Sequence, residues 1–168
     1  FTAVFSDEIE TVEVFFANNQ ILFRSEHISF YTRLLEGNYP DTDRLIPTEF
    51  NTEATFNVAN LRFAMERARL LSNATQNGTV KLEFKNGVVS SHVHSPEVGR
   101  VNEEIDTSAV SGEDLSISFN PTYLIEALKA IDSEQVVIRF ISSVRPFTLV
   151  PEGNEQGFIQ LITPVRTN

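Results

Sequence analysis

The sequence contains no cysteine. Disulfides, thiolate nucleophiles and cysteine zinc sites are therefore excluded, and the absence suits a reducing cytoplasm. No apolar run approaches the length that spans a bilayer. Phe1-Thr-Ala-Val-Phe5 has no initiator methionine, no basic stretch and no small-residue cleavage site, so it does not read as a signal peptide. It reads instead as the tail of a helix that begins upstream. There is no Gly-x-Ser-x-Gly elbow, no phosphate loop and no dinucleotide fingerprint. Basic residues are also scarce. Thirteen Lys and Arg stand against 23 Asp and Glu, a net charge of −10, which argues against a surface that attracts nucleic acid as a whole.

What remains is a globular chain that repeats itself. Hydrophobic residues make up 41% of 168, enough for one ordinary core with an additional piece. Ala54-Thr-Phe-Asn-Val58 reads as a strand leading into a helix over 59–72. Leu61, Ala64, Met65, Ala68 and Leu71 form its apolar stripe. The pattern returns about 61 residues later. There Leu115-Ser-Ile-Ser-Phe119 leads into a helix that starts at Asn120-Pro121 and ends near Ser133. Its stripe is Tyr123, Leu124, Ala127, Leu128 and Ile131. Three strands are expected after each helix: 79–84, 88–94 and 101–110, then 135–140, 146–150 and 158–162. Asn86-Gly87 marks a tight hairpin. Asn73-Ala-Thr75 and Asn77-Gly-Thr79 match a glycosylation pattern but read as turn residues.

The first 35 residues resemble the back half of a third copy. Strands are expected at 11–17, 20–24 and 28–34, with Asn18-Asn19 as a hairpin turn. Residues 36–52 read as a linker or long surface loop. The expected organisation is therefore a partial domain with linker over 1–50 and a complete domain over 51–168.

Candidate chemistry is sparse. His92 and His94 fall on one face of a strand, but no third or fourth ligand is persuasively spaced. Glu103-Glu104 and Glu113-Asp114 lie in polar, turn-rich sequence and read as solvated rather than catalytic. Arg62, Arg67 and Arg69 lie on the first helix. They form either a solvated face, with Arg62 and Glu66 paired at i, i+4, or a face toward phosphate backbones. Two segments stand out. Tyr39-Pro-Asp-Thr-Asp-Arg-Leu-Ile-Pro47 puts apolar residues in a linker, and Leu161-Ile-Thr-Pro-Val-Arg166 puts them in a tail.

Several of these segments together carry a resemblance. Glu36-Gly-Asn-Tyr-Pro-Asp41 through Arg44-Leu-Ile-Pro47, Arg69-Leu-Leu-Ser-Asn73, Phe119-Asn-Pro-Thr-Tyr-Leu124, Ser143-Val-Arg-Pro-Phe147 and Thr163-Pro-Val-Arg166 resemble the bacterial β sliding clamp family, the beta subunit of DNA polymerase III. The resemblance implies an α+β DNA-clamp fold of duplicated β-α-βββ units, with antiparallel sheets outside and helices inside. It implies a non-catalytic processivity subunit without cofactors or metal. Such a subunit forms a head-to-tail homodimer ring around duplex DNA. Polymerase, clamp loader and repair proteins dock on it through short linear motifs.

Carried over residue by residue, the peptide pocket comprises Pro40, Arg44, Leu45, Val144, Pro146, Leu161, Thr163, Pro164, Val165 and Arg166. Thr163 and Val165 stand where methionines are more familiar, which predicts a smaller, stiffer pocket. Leu70 and Leu71 match the ring interface. Arg62, Arg67, Arg69 and Lys129 become the DNA-facing set. Two rivals stay open: a peptide-binding adaptor of the same repeats that forms no ring, and a small hydrolase using His92, His94 and nearby acids.

Overall fold

A computed structural model describes residues 11–38, 41–72, 78–95, 99–153 and 157–166. The helix end expected at 1–6, most of the loop at 73–78 with its two Asn-x-Thr sites, and Tyr39-Pro40 lie outside the described residues. The chain forms two compact units, Phe1–Asp41 and Thr42–Asn168.

The first unit contains a three-stranded antiparallel meander, β1 (Glu13–Phe16), β2 (Gln20–Arg24) and β3 (Ser29–Arg33). Alternation places Val14, Phe23 and Phe30 in one cross-strand row and Phe15, Leu22 and Tyr31 in a row on the opposite face. Arg24 closes the second face, pairing with Glu13 at 2.8 Å and lying 4.9 Å from the Phe15 ring centroid. The Asn18-Asn19 hairpin forms, but not through the positive φ expected of it. Among the described residues Asn86 is the only non-glycine with positive φ. The Ala17 N–H donating to the Gln20 carbonyl at 2.9 Å holds the turn instead.

The second unit carries both repeats. A 3-10 turn at Thr42–Arg44 precedes β4 (Thr52–Asn57), α1 (Val58–Ser72), β5 (Val80–Lys85), β6 (Val88–Ser95), β7 (Gly99–Ile105) and β8 (Ala109–Gly112). The second half is β9 (Leu115–Phe119), α2 (Pro121–Lys129), β10 (Gln135–Phe140), β11 (Phe147–Pro151) and β12 (Gln160–Ile162). One antiparallel sheet has the order β12-β11-β10-β4-β8 and the other β7-β6-β5-β9. The halves exchange their first strands. β4 pairs with β10, putting Phe56 opposite Val136, and β9 pairs with β5, putting Ile117 opposite Leu82. Neither half closes its sheet alone, so the repeat is a single folding unit. The two helices pack against each other, and Leu61, Met65, Leu124 and Leu128 are buried in one continuous core with both sheets.

Local chemistry sets the helix ends. Asn57 Oδ1 accepts the Asn60 N–H at 3.1 Å, so Val58 is helical rather than the last strand residue. Asn120 Oδ1 accepts the Thr122 N–H at 2.9 Å, with Pro121 in the first turn. Asn120→Ala is expected to lower stability by about 1 kcal/mol in a denaturant titration. A loss indistinguishable from zero would mean that the cap is dispensable.

Three expectations need correction. α2 ends at Lys129, short of Ser133; Ala130 is the C-cap, its N–H donating to the Ala127 carbonyl at 3.1 Å. Tyr123 leaves the buried stripe, and Ile125 takes its place. The strand expected over 101–110 is two strands. The chain breaks at 106–108, where the Ser108 N–H donates to the Thr55 carbonyl at 2.8 Å, and it moves from β6 in one sheet to β4 in the other.

Candidate functional site

The C-terminal segment crosses from one sheet to the other. β12 is the outermost strand of its sheet, and beyond it the Val165 N–H donates to the Ser118 carbonyl on β9 at 2.7 Å. The tail is therefore packed as well as exposed, with Pro164 half-buried and Val165 at 38% exposure. Between β12 and α2 lies a cavity of about 520 Å³, lined by Tyr123, Glu126, Ala127, Gln160, Leu161, Ile162 and Thr163. The volume falls within the range of ligand sites.

Of the residues expected in the pocket, Leu161 and Thr163 line this cavity, whereas Val144, Pro146, Pro164, Val165 and Arg166 are not among its walls. Val144 lies in the β10–β11 connection and is 52% exposed, with Pro146 half-buried beside it. Arg44 and Leu45 close the 3-10 turn, where the Leu45 N–H donates to the Thr42 carbonyl at 3.0 Å. Pro40 lies outside the described residues. Sequence reasoning missed Tyr123, which is 61% exposed and faces Leu161 and Thr163 across the cavity. Its place on the apolar stripe had marked it for the core. The usable signal was the phenol itself, which carries a hydroxyl that favours a wet edge.

The three arginines of α1 expected to face DNA do not share one edge of the helix. Arg62 and Arg69 are seven positions apart and share an edge of α1, whereas Arg67 lies about 140° round from Arg62. Arg62 Nε sits 3.7 Å from Glu66 Oε1, and its guanidinium lies 5.3 Å from the Phe63 ring centroid. Arg67 makes a two-point pair with Glu103 of β7, with Nε donating at 3.2 Å. That hydrogen bond, opposed by burial, raises the Arg67 guanidinium above its ordinary range. Lys129 Nζ lies 3.1 Å from Glu126.

Leu70 and Leu71 also separate. Leu70 is 72% exposed, while Leu71 packs partly buried against the core. Phe63, seven positions before Leu70, is exposed on the same stripe. It opens onto a second cavity of about 250 Å³ that also includes Asn60, Arg67, Glu103 and Asp106. β7, which forms the far wall, is an edge strand. Phe63 lies outside the apolar stripe, and the sequence carries no further signal at that position.

The histidine pair does not converge on a site. Asn102 Oδ1 lies 2.8 Å from His92 Nδ1, and Ser90 Oγ lies 2.9 Å from Nε2. Glu83 Oε2 is 3.6 Å away. His94 is exposed opposite Arg100. Two of the acids are engaged in structure: Glu103 pairs with Arg67, and Asp114 Oδ1 accepts the Asn86 N–H at 3.0 Å. Among the described residues no helix is long and apolar enough to cross a membrane.

Comparison with known proteins gives the same architecture a family. The beta sliding clamp of Streptococcus pneumoniae serotype 4 is 79% identical over 168 residues, covering all of this chain and 44% of that protein. The beta sliding clamp of Lactococcus lactis is 55% identical over 170 residues, covering all of this chain and 45% of that protein. The chain thus spans less than half the length of these relatives. Among solved structures, the DNA polymerase III beta chain of S. pneumoniae matches with a TM-score of 0.89 at 79% identity, covering 99% of this chain and 44% of that one. The Bacillus subtilis sliding clamp matches at 0.83 and 38% identity, covering 97% and 43%. The family model for the DNA polymerase III beta subunit, C-terminal domain, covers residues 43–166. With this match joined to the duplicated strand-helix-strand architecture, the chain belongs to the DNA polymerase III beta subunit family.

Proposed function

We propose that this chain is part of a sliding clamp, the processivity subunit that encircles duplex DNA and docks partner peptides. The observation that carries the reading is the 79% identity to a beta sliding clamp along all 168 residues. The fold is consistent with it, because α1 and α2 lie side by side as two helices of a ring lining would. An acidic chain suits the role. Topological enclosure needs little direct affinity, and a net charge of −10 discourages loose binding of nucleic acid to the outside. The subunit does no chemistry of its own and works in the cytoplasm, where the chromosome lies. Residues 1–50 are assigned to a preceding clamp domain with its linker and 51–168 to the C-terminal clamp domain.

Three surfaces follow from this reading. The partner-peptide groove is the α2–β12 cavity with Tyr123 added, extended by Val144, Pro146 and the tail Thr163–Arg166. The ring interface centres on Leu70 and Phe63 of α1 beside the free edge of β7, in a head-to-tail dimer. The DNA-facing set narrows to Arg62 and Arg69 with Lys129, because Arg67 is held sideways by Glu103.

Fluorescence polarisation with a labelled peptide of the Gln-x-x-aliphatic-Phe type tests the groove. Tyr123→Ala is expected to weaken binding by about 30-fold, the scale of an aromatic hot spot, and Arg166→Ala by a smaller factor. Unchanged affinity in Tyr123→Ala, Val144→Ala and Arg166→Ala alike would remove the groove from this surface.

A further inference from the structure

Asn86 and Gly87 form the exposed tip of the β5–β6 hairpin, beyond its last cross-strand pair, Lys85 with Val88. Their φ angles, 52 and 78, are those of a tight turn that suits Asn-Gly. The same dipeptide is chemically labile. The side-chain amide carbon of an asparagine is open to attack by the main-chain nitrogen of the next residue, and a glycine there offers no side chain to hinder the approach. Nothing lies within 4 Å of where a Gly87 Cβ would sit, so neighbouring elements do not crowd that side of the tip. One contact opposes the reaction. The Asn86 N–H donates to Asp114 Oδ1 at 3.0 Å, which ties the tip to the residue before β9. Ring closure needs the Asn86 Cα–C bond to rotate until Gly87 N meets the side-chain amide. That rotation undoes the tight turn, so the reaction waits on local opening of the tip. Neither Asn86 nor Asp114 lines either of the two cavities.

We propose that Asn86 is a site of spontaneous deamidation and that Asp114 is the latch that restrains it. Gly87 N forms a bond to Asn86 Cγ and gives up its proton. The bond from Cγ to the side-chain nitrogen breaks, and that nitrogen takes up the proton and leaves as ammonia. Water then opens the cyclic imide at either carbonyl, giving aspartate or isoaspartate at position 86. Each product adds a negative charge beside Asp114 in a chain already at −10. Isoaspartate also lengthens the main chain by one carbon. The two-residue turn between Lys85 and Val88 cannot absorb that while keeping its register. The modified chain therefore has a looser β5–β6 hairpin and a weaker tie between that hairpin and β9.

The test incubates the 168-residue chain in neutral buffer. Peptide mapping by mass spectrometry follows Asn86 separately from the second Asn-Gly pair, Asn77-Gly78. Aspartate and isoaspartate are expected to accumulate at 86 in the folded chain, more slowly than in denaturant. Asp114→Ala is expected to speed the folded-state reaction about fivefold, the scale of one exposed hydrogen bond, and to leave the rate in denaturant unchanged. Asp114→Asn keeps an acceptor oxygen and should hold the rate near that of the parent chain. A thermal melt of each variant before incubation establishes that it is folded. An Asn86 that stays intact in the folded chain while the denatured chain converts overturns the site. Equal folded-state rates in the parent chain and Asp114→Ala overturn the latch, as does an Asp114→Asn variant that reacts as fast as Asp114→Ala.

Discussion

Replacing Phe140 with alanine is expected to lower the stability of the second unit by about 3–5 kcal/mol. Phe140 on β10 is fully buried, at 0% exposure. Its ring centroid lies 4.9 Å from that of Phe84 on β5 and 5.1 Å from that of Phe147 on β11, and Phe147 lies 5.2 Å from Phe119 on β9. Phe84 and Phe119 belong to the four-stranded sheet, and Phe140 and Phe147 to the five-stranded one. The four rings therefore join the sheets across the core. Losing the central ring removes buried apolar area, leaves a cavity that the packed sheets cannot collapse around, and deletes two ring contacts worth about 0.5–1.5 kcal/mol each beyond burial. A denaturant titration reads the loss directly. Phe63→Ala serves as the control: the same side chain is removed from an exposed position, with an expected change within about 0.5 kcal/mol. A loss below about 1 kcal/mol for Phe140→Ala would show that the sheets are held together elsewhere.

Gly112→Ala is expected to cost about 3 kcal/mol or more through a different cause, added backbone strain and overlap rather than lost packing. Gly112 ends β8 with φ +97, a conformation that side chains rarely tolerate. A Cβ placed there would overlap the Asn51 carbonyl oxygen and sit 2.8 Å from the Asn51 carbonyl carbon and the Thr52 Cα. None of these is a flexible side-chain end that can swing aside. The same carbonyl accepts the Glu113 N–H at 3.0 Å, and Thr52 Oγ1 donates to the Glu113 carbonyl at 2.7 Å. Any shift that relieves the overlap therefore breaks the attachment of β8 to β4. Thermal unfolding should register the loss. Exposed Gly87, whose Cβ would meet open space at φ +78, should lose only the strain component on the same substitution. Equal effects at the two glycines would contradict the close approach at Asn51.

The parts of the fold that local sequence encodes were legible, and those that depend on distant partners were not. Both helices announced themselves through 3.6-residue stripes and Asn caps, and Asn86-Gly87 supplied a turn with φ 52 and 78. The repeat showed two halves but not their exchange of β4 and β9, since strand partners carry no local signature. The break at 106–108 was hidden for a related reason. Asp106-Thr-Ser108 is a short polar run that a surface strand could also carry, and the Thr55 carbonyl that holds the crossing between sheets lies far along the chain. At the candidate site, the tail was marked by apolar residues where polar ones were expected, and the family resemblance supplied the rest. Tyr123 was lost because it stands beside Leu124 on the apolar stripe, whereas the buried face of α2 turns toward Ile125. The Arg67–Glu103 pair was not legible, because the two residues lie 36 positions apart.

The central claim is that the protein containing this chain holds DNA by enclosing it. The direct measurement is retention of the full-length subunit on nicked circular DNA after loading, followed by cutting the circle at one site. The account predicts stable retention on the circle at salt concentrations that abolish ordinary electrostatic binding, and rapid loss once an end is available. A complex that survives linearisation, or that dissolves with salt equally on circular and linear DNA, would contradict it.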